Sequence, residues 1–155
     1  MTGRTGSAAG GRRSVGAFLG SLVLIGALAA CGGSGGTPAA ATQSSVSGLG
    51  KVTTASDGVQ QVTIQTQDNY KFAPTQFTVA PGRVRLTVVN AAASFTHSFR
   101  FSQGKGPEPI PATIPVLAPG ERQSIEFTVQ TPGNYPFECS FHTQLGQFGT
   151  MTVRG

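Results

Sequence analysis

The sequence predicts an all-β domain, a sandwich or barrel, over residues 59–155. Two observations indicate this fold class: short segments alternate apolar and polar residues from about Val59 onward, and Pro, Gly and Asn separate those segments. No stretch keeps the 3.6-residue periodicity of a long helix. About 97 residues can build one modest hydrophobic core, so we expect a single folded domain.

The first predicted strands each have one apolar face, because successive side chains of a strand point to opposite sides of the sheet. Residues 80–82 and 118–120, both Ala-Pro-Gly, are predicted turns, since Pro presets φ and Gly permits a positive φ. A further strand is predicted over 123–129. The apolar positions of the first three strands are Val62 and Ile64, then Phe77 and Val79, then Val84, Leu86 and Val88.

The segment 103–117, QGKGPEPIPATIPVL, contains four prolines and is predicted to stay irregular. It is longer than most connections between strands.

Two later segments place polar groups on apolar faces. In FTHSFRF, residues 95–101, His97 shares a face with three Phe, whereas Ser98 and Arg100 lie on the other face. In YPFEC, residues 135–139, Cys139 shares a face with the two aromatic residues. A buried imidazole or thiol needs a partner that offsets its lost hydration. A thiolate with two imidazoles is the donor set that selects copper, and His142 is the second of the two histidines in the chain.

The arrangement of these residues resembles the type 1 copper site of the cupredoxins. A His on an earlier strand is followed by Cys-x2-His-x4-Gln (139–147) and then by FGTMTV, which is similar to plastocyanin-like loop spacing. The stretches YKFAPTQFTVAPGRVRLTVVN and GNYPFEC, ahead of the first and second ligands, also resemble the family pattern. The resemblance implies a Greek-key β-sandwich or barrel of the cupredoxin type. It also implies one Cu(II)/Cu(I) ion bound by His97, Cys139 and His142.

The fourth ligand departs from the usual family pattern, in which Met stands at the position of Gln147. The stellacyanin group of the family shares this departure, and the resemblance implies that Gln147 binds copper through its amide oxygen. Two alternatives stay open: Met151 as the axial ligand, or a site with water or no axial ligand at all.

The resemblance implies an electron-transfer protein and not an enzyme. Oxidase chemistry on O2 needs further copper ions with His-x-His pairs, which two histidines cannot supply. Phe141, Leu145 and Phe148 flank the predicted site and are expected to dock redox partner proteins of the cell envelope, unless the two Phe side chains simply close the barrel end. The alternatives are a copper storage or delivery protein and a copper-free structural module. We expect a monomer.

The N-terminal 30 residues are predicted to be a signal peptide. Residues 15–30, VGAFLGSLVLIGALAA, carry no charge and follow Arg4, Arg12 and Arg13. The segment at the end of this apolar run, Leu28-Ala29-Ala30-Cys31, resembles a bacterial lipobox. The resemblance implies a lipid on Cys31 and an extracytoplasmic domain that is anchored to the cell membrane. The alternatives are an ordinary cleavage site or an uncleaved anchor. Cys139 is then left without a disulfide partner.

Residues 31–58 are predicted to be a flexible linker, because they are rich in Gly, Ser, Thr and Ala and lack apolar periodicity. Such a linker has a reach of about 29 Å. Without residues 1–30 the chain keeps eight basic and six acidic residues, a net charge of +2. A net charge this small gives no basis for predicting nucleic-acid binding.

Overall fold

The computed structural model describes residues 46–155, so the predicted signal peptide, Cys31 and most of the predicted linker lie outside the described residues. No helix in this part of the chain is long and apolar enough to cross a membrane. A short 3₁₀ helix covers Thr143–Leu145. The strands are β1 (Thr53–Thr54), β2 (Gln60–Thr66), β3 (Phe72–Ala73), β4 (Gln76–Val79), β5 (Gly82–Asn90), β6 (His97–Phe101), β7 (Thr113–Leu117), β8 (Arg122–Val129), β9 (Gly133–Glu138) and β10 (Phe148–Val153).

The strands form two five-stranded sheets, which confirms the predicted all-β sandwich. The first sheet has the order β1-β2-β5-β8, with β3 paired to β2, and the second has the order β4-β10-β9-β6-β7. Two pairs, β2 with β5 and β4 with β10, are parallel. Strands that are neighbours in a sheet are therefore often distant in the sequence.

The core lies between the two sheets and contains the predicted apolar positions. Val84, Leu86 and Val88 of β5 are fully buried, as their alternation with polar residues predicts. They join one hydrophobic cluster with the aromatic residues of the other sheet, including Phe99 and Phe137. Burying each such side chain stabilises the fold by about 1.5 to 3 kcal/mol.

The structure differs from the sequence prediction in two connecting segments. β1 lies within the predicted linker and pairs antiparallel with β2, with Thr53 opposite Gln61. A strand of two exposed threonines has no apolar alternation that could reveal it. The end of the predicted irregular segment 103–117 forms β7, which contains Pro115. β7 is an edge strand, where the missing N–H of proline is tolerated.

Three neighbouring strands bring the predicted metal ligands to one end of the second sheet. β6 begins at His97, β9 ends one residue before Cys139, and β10 begins one residue after Gln147. β9 lies between β10 and β6 and is antiparallel to both. The start of β6, the end of β9 and the start of β10 therefore lie side by side.

Candidate metal centre

The loop of residues 139–147 is closed by its own backbone. The amide N–H of Cys139 donates to the carbonyl of Gln147 at 3.0 Å, so the two ends of the loop are hydrogen-bonded. The 3₁₀ helix inside the loop is capped at its C-terminal end by Gly146, whose φ of 82° is a left-handed conformation that favours glycine. This turn returns the chain to the sheet, so that Gln147 faces the same space as Cys139.

Four side-chain atoms from this loop and from β6 converge on one point. The Nδ1 atoms of His97 and His142 are 3.2 Å apart, and they lie 2.9 and 3.1 Å from Oε1 of Gln147. The Sγ atom of Cys139 lies 3.5 Å from Nδ1 of His142 and 4.0 Å from Nδ1 of His97. His97, Cys139 and Gln147 are fully buried, whereas His142 is partly exposed. All four residues that the sequence predicts as ligands are therefore together.

Hydrogen bonds alone do not satisfy this cluster. A neutral imidazole carries one N–H, and the oxygen of Gln147 can only accept, so no placement of protons satisfies every contact among the three side chains. A single cation would contact all the converging lone pairs at once, so the donor atoms fit a bound metal ion.

The spacing of the donor atoms fits one ion. The bond lengths of a tetrahedral Zn²⁺ site, about 2.05 Å to nitrogen and about 2.3 Å to sulfur, would place two nitrogens about 3.3 Å apart and the sulfur about 3.6 Å from each nitrogen. The observed N–N distance is 3.2 Å and the observed S–N distances are 3.5 and 4.0 Å. Little movement is needed to close the site on an ion.

The thiol of Cys139 is prepared for ionisation, although burial opposes it. Desolvation raises the pKa of the thiol, and hydrogen bonding to His97 and Ser98 and to the backbone amides of Ser98 and Phe141 lowers it. The lowering contributions outweigh desolvation, and the pKa of Cys139 falls from 9.0 to about 6. A thiolate is the form that binds metal.

Comparison with known proteins agrees with this geometry. The family model of the cupredoxin-like domain matches residues 39–153. The chain belongs to the cupredoxin-like family. Its His, Cys and His residues form the donor group of a type 1 copper site.

Among the relatives of this cupredoxin-like chain are two plant proteins. It is 32% identical over 88 residues to a protein named plastocyanin minor isoform, chloroplastic, from Arabidopsis thaliana, covering 54% of this chain and 50% of the relative. The chain thus spans half the length of that relative. It is 33% identical over 85 residues to plastocyanin A/B from Petroselinum crispum, covering 53% of this chain and 86% of that one.

A solved structure with the same fold is the dithionite-reduced auracyanin of Roseiflexus castenholzii. It superposes on this cupredoxin-like domain with a TM-score of 0.54 at 26% sequence identity. The superposition covers 61% of this chain and 97% of the auracyanin chain.

Aromatic rings surround the partly exposed ligand His142. Its imidazole lies 4.8 Å from the ring of Tyr70, 6.2 Å from Phe95 and 6.3 Å from Phe141, measured between ring centroids. Tyr70 holds a φ of 55°, an unusual conformation for a residue other than glycine. The alternation pattern predicts that Phe95 faces the core, but it is 39% exposed, because β6 begins two residues later.

Asn90 supports the metal centre in a way that the sequence analysis does not predict. It is fully buried at the end of β5, and its amide nitrogen donates to the carbonyls of Phe95 and Leu117. Its amide oxygen accepts from the backbone of Ala92 and the hydroxyl of Thr66. These bonds fix residues 91–96, the segment that leads into His97. No local sequence pattern distinguishes Asn90 from a turn asparagine.

The residues expected to dock partners are exposed near the metal centre. Phe141, Leu145 and Phe148 are 51%, 54% and 59% exposed, so neither Phe side chain is buried in the barrel end. Met151, the alternative axial candidate, is fully buried within the hydrophobic cluster.

Proposed function

We propose that this cupredoxin-like protein is a single-electron carrier that binds one copper ion through His97, Cys139 and His142. The observation that carries the proposal is the convergence of two imidazole nitrogens and a thiol sulfur at the spacing of one ion. The family relationship to plastocyanins, and to an auracyanin studied in a dithionite-reduced form, supports it. Bound copper supplies a one-electron couple between Cu(II) and Cu(I).

The chain contributes rigidity to this function. His97 and Cys139 lie at the ends of adjoining strands, and the backbone bond between Cys139 and Gln147 closes the ligand loop. Because the scaffold holds the donor atoms close to metal-binding distances, a change of oxidation state requires little rearrangement. Fast electron transfer is favoured by this small rearrangement.

In this proposal Gln147 would be the fourth residue that holds the copper ion, through its amide oxygen. Its Oε1 atom lies 2.9 Å from Nδ1 of His97 and 3.1 Å from Nδ1 of His142. An amide oxygen is a harder donor than a thioether and favours Cu(II). The reduction potential is therefore lower than it is with Met at this position.

Electrons enter or leave at the partly exposed edge of His142. The exposed side chains of Phe141, Leu145 and Phe148 provide an apolar surface for brief contacts with redox partner proteins of the cell envelope. We propose further that a lipid on Cys31 and the residues that follow it tether the domain, as a monomer, to the outer side of the cell membrane.

Absorption spectroscopy tests the copper site directly. The protein is produced without residues 1–30 and with Cys31→Ser, so that Cys139 is its single thiol. Cu(II) should produce an intense thiolate-to-copper band in the orange-red, which Cys139→Ser abolishes and Met151→Leu retains. A parent protein that binds Cu(II) without this band would refute the proposal.

Copper exchange distinguishes a carrier from a delivery protein. A carrier should undergo reversible one-electron reduction and keep its copper in the presence of a chelator for hours. Loss of the ion within the mixing time would instead indicate delivery.

A further inference from the structure

Ser98 lies next to His97 in β6 and directly under the start of the ligand loop. Strand alternation predicts that its side chain faces solvent, but it is 2% exposed. The loop beginning at Cys139 covers it, and the hydroxyl oxygen of Ser98 lies 3.6 Å from Sγ of Cys139. The backbone N–H of Ser98 also donates to this sulfur, at 3.4 Å.

The hydroxyl of Ser98 has one proton and three neighbours. The backbone N–H of Ser140 donates to its oxygen at 2.8 Å, and the hydroxyl of Ser140 lies at 2.8 Å from the same atom. A hydroxyl can accept two hydrogen bonds and donate one. All three contacts are satisfied when both groups of Ser140 donate to Ser98 and Ser98 donates to the sulfur. If Ser98 donates to Ser140 instead, the sulfur loses this donor.

We propose that the hydroxyl of Ser98 donates a hydrogen bond to the Cys139 sulfur and so raises the reduction potential of the bound copper. This inference rests on the proposed function. Ser98 acts through Cys139 and is thus a positioning residue. A donor to the sulfur withdraws electron density that the thiolate would give to Cu(II), so it favours Cu(I). Ser140 orients the proton of Ser98 without touching the metal ligands' donor atoms.

Three substitutions separate this role from simple support of the loop. Ser98→Ala removes the donor, and the ratio of oxidised to reduced protein against a fixed redox mediator should rise by about 3- to 10-fold, the effect of one hydrogen bond. The thiolate-to-copper band should move to longer wavelength. Ser98→Thr keeps a hydroxyl and should restore both properties. Ser140→Ala removes the competing hydroxyl, so the Ser98 hydroxyl can donate only to the Cys139 sulfur. The reduction potential of this variant should therefore equal or exceed that of the parent.

A measurement on copper-free protein gives an independent readout. Ser98→Ala removes the acceptor of the Ser140 amide, so its urea midpoint should fall below that of the parent and of Ser98→Thr. An unchanged midpoint would show that these contacts do not form, and it would overturn the inference.

The possible failures can be told apart. Equal decreases in potential for Ser98→Ala and Ser140→Ala would show that the pair only supports the loop, which overturns this inference alone. An unchanged potential in Ser98→Ala, in a parent with the thiolate band, would do the same. A parent without the thiolate band would overturn the proposed function and this inference with it.

Discussion

Replacing Asn90 with Ala should destabilise the domain strongly. The side chain is fully buried and makes four hydrogen bonds, two as a donor and two as an acceptor. Each bond contributes about 1 kcal/mol net, so removing all four should lower the free energy of unfolding by about 4 kcal/mol. Domains are stable by only about 5 to 15 kcal/mol, so this loss is a large fraction of the total.

Urea unfolding of the copper-free protein measures this loss. With an m-value of about 1.5 kcal/mol per M, the midpoint should decrease by about 2 to 3 M. Asn134→Ala is the matched control, because Asn134 is exposed and accepts one hydrogen bond, from Thr152. Its loss should stay below about 1 kcal/mol. Equal losses in the two variants would refute the reasoning that Asn90 secures the segment before His97.

Three further changes test other parts of the structure. Gln147→Met should raise the reduction potential measured by redox titration, because a thioether favours Cu(I) more than an amide oxygen does. An unchanged or lower potential would contradict copper binding by Gln147. Gly149→Ala should destabilise the protein by about 1 to 3 kcal/mol in thermal unfolding, because the added Cβ would overlap the ring of Phe137 and the carbonyl of Thr75; an unchanged melting temperature would show that the strands separate easily. Hydrogen bonds from the hydroxyl of Thr131 and a backbone amide lower the pKa of Glu108, so this carboxylate stabilises the fold above pH 4.5, and the contribution is lost as the pH falls through its lowered pKa. Glu108→Gln should therefore be less stable at neutral pH and lose less stability on acidification, and identical pH profiles in urea unfolding would argue against this contribution.

The sequence predicts His97 and Cys139 as buried because alternation is a reliable guide inside a regular strand. Both are fully buried in the structure. The same rule fails for their neighbours. Phe95 lies before β6 begins, and Ser98 lies at an irregularity in the pairing of β6 with β7, between His97 and Phe99. Phe95 therefore lies outside the alternation, and Ser98 is buried because the loop that begins at Cys139 covers it.

Contacts between distant segments could not be predicted from a single sequence. Asn90 bonds to Leu117, 27 residues away, and Tyr70 contacts His142 from a loop with no apolar pattern. Such residues are polar or aromatic members of ordinary loops until the two sheets are assembled. The packing of the whole domain, and not local propensity, gives them their positions.

β10 pairs on both sides, with β4 and with β9, and Phe148 at its start lies opposite Glu138. The loop 139–147 joins β9 to β10, and the hydrogen bond that closes it, from Cys139 to Gln147, requires both strands to be in place. A chain synthesised from its N-terminus presents His97 long before the other three donor residues exist. The copper ion of the proposed function would therefore meet the complete set of four donor residues only after residue 147 has been synthesised.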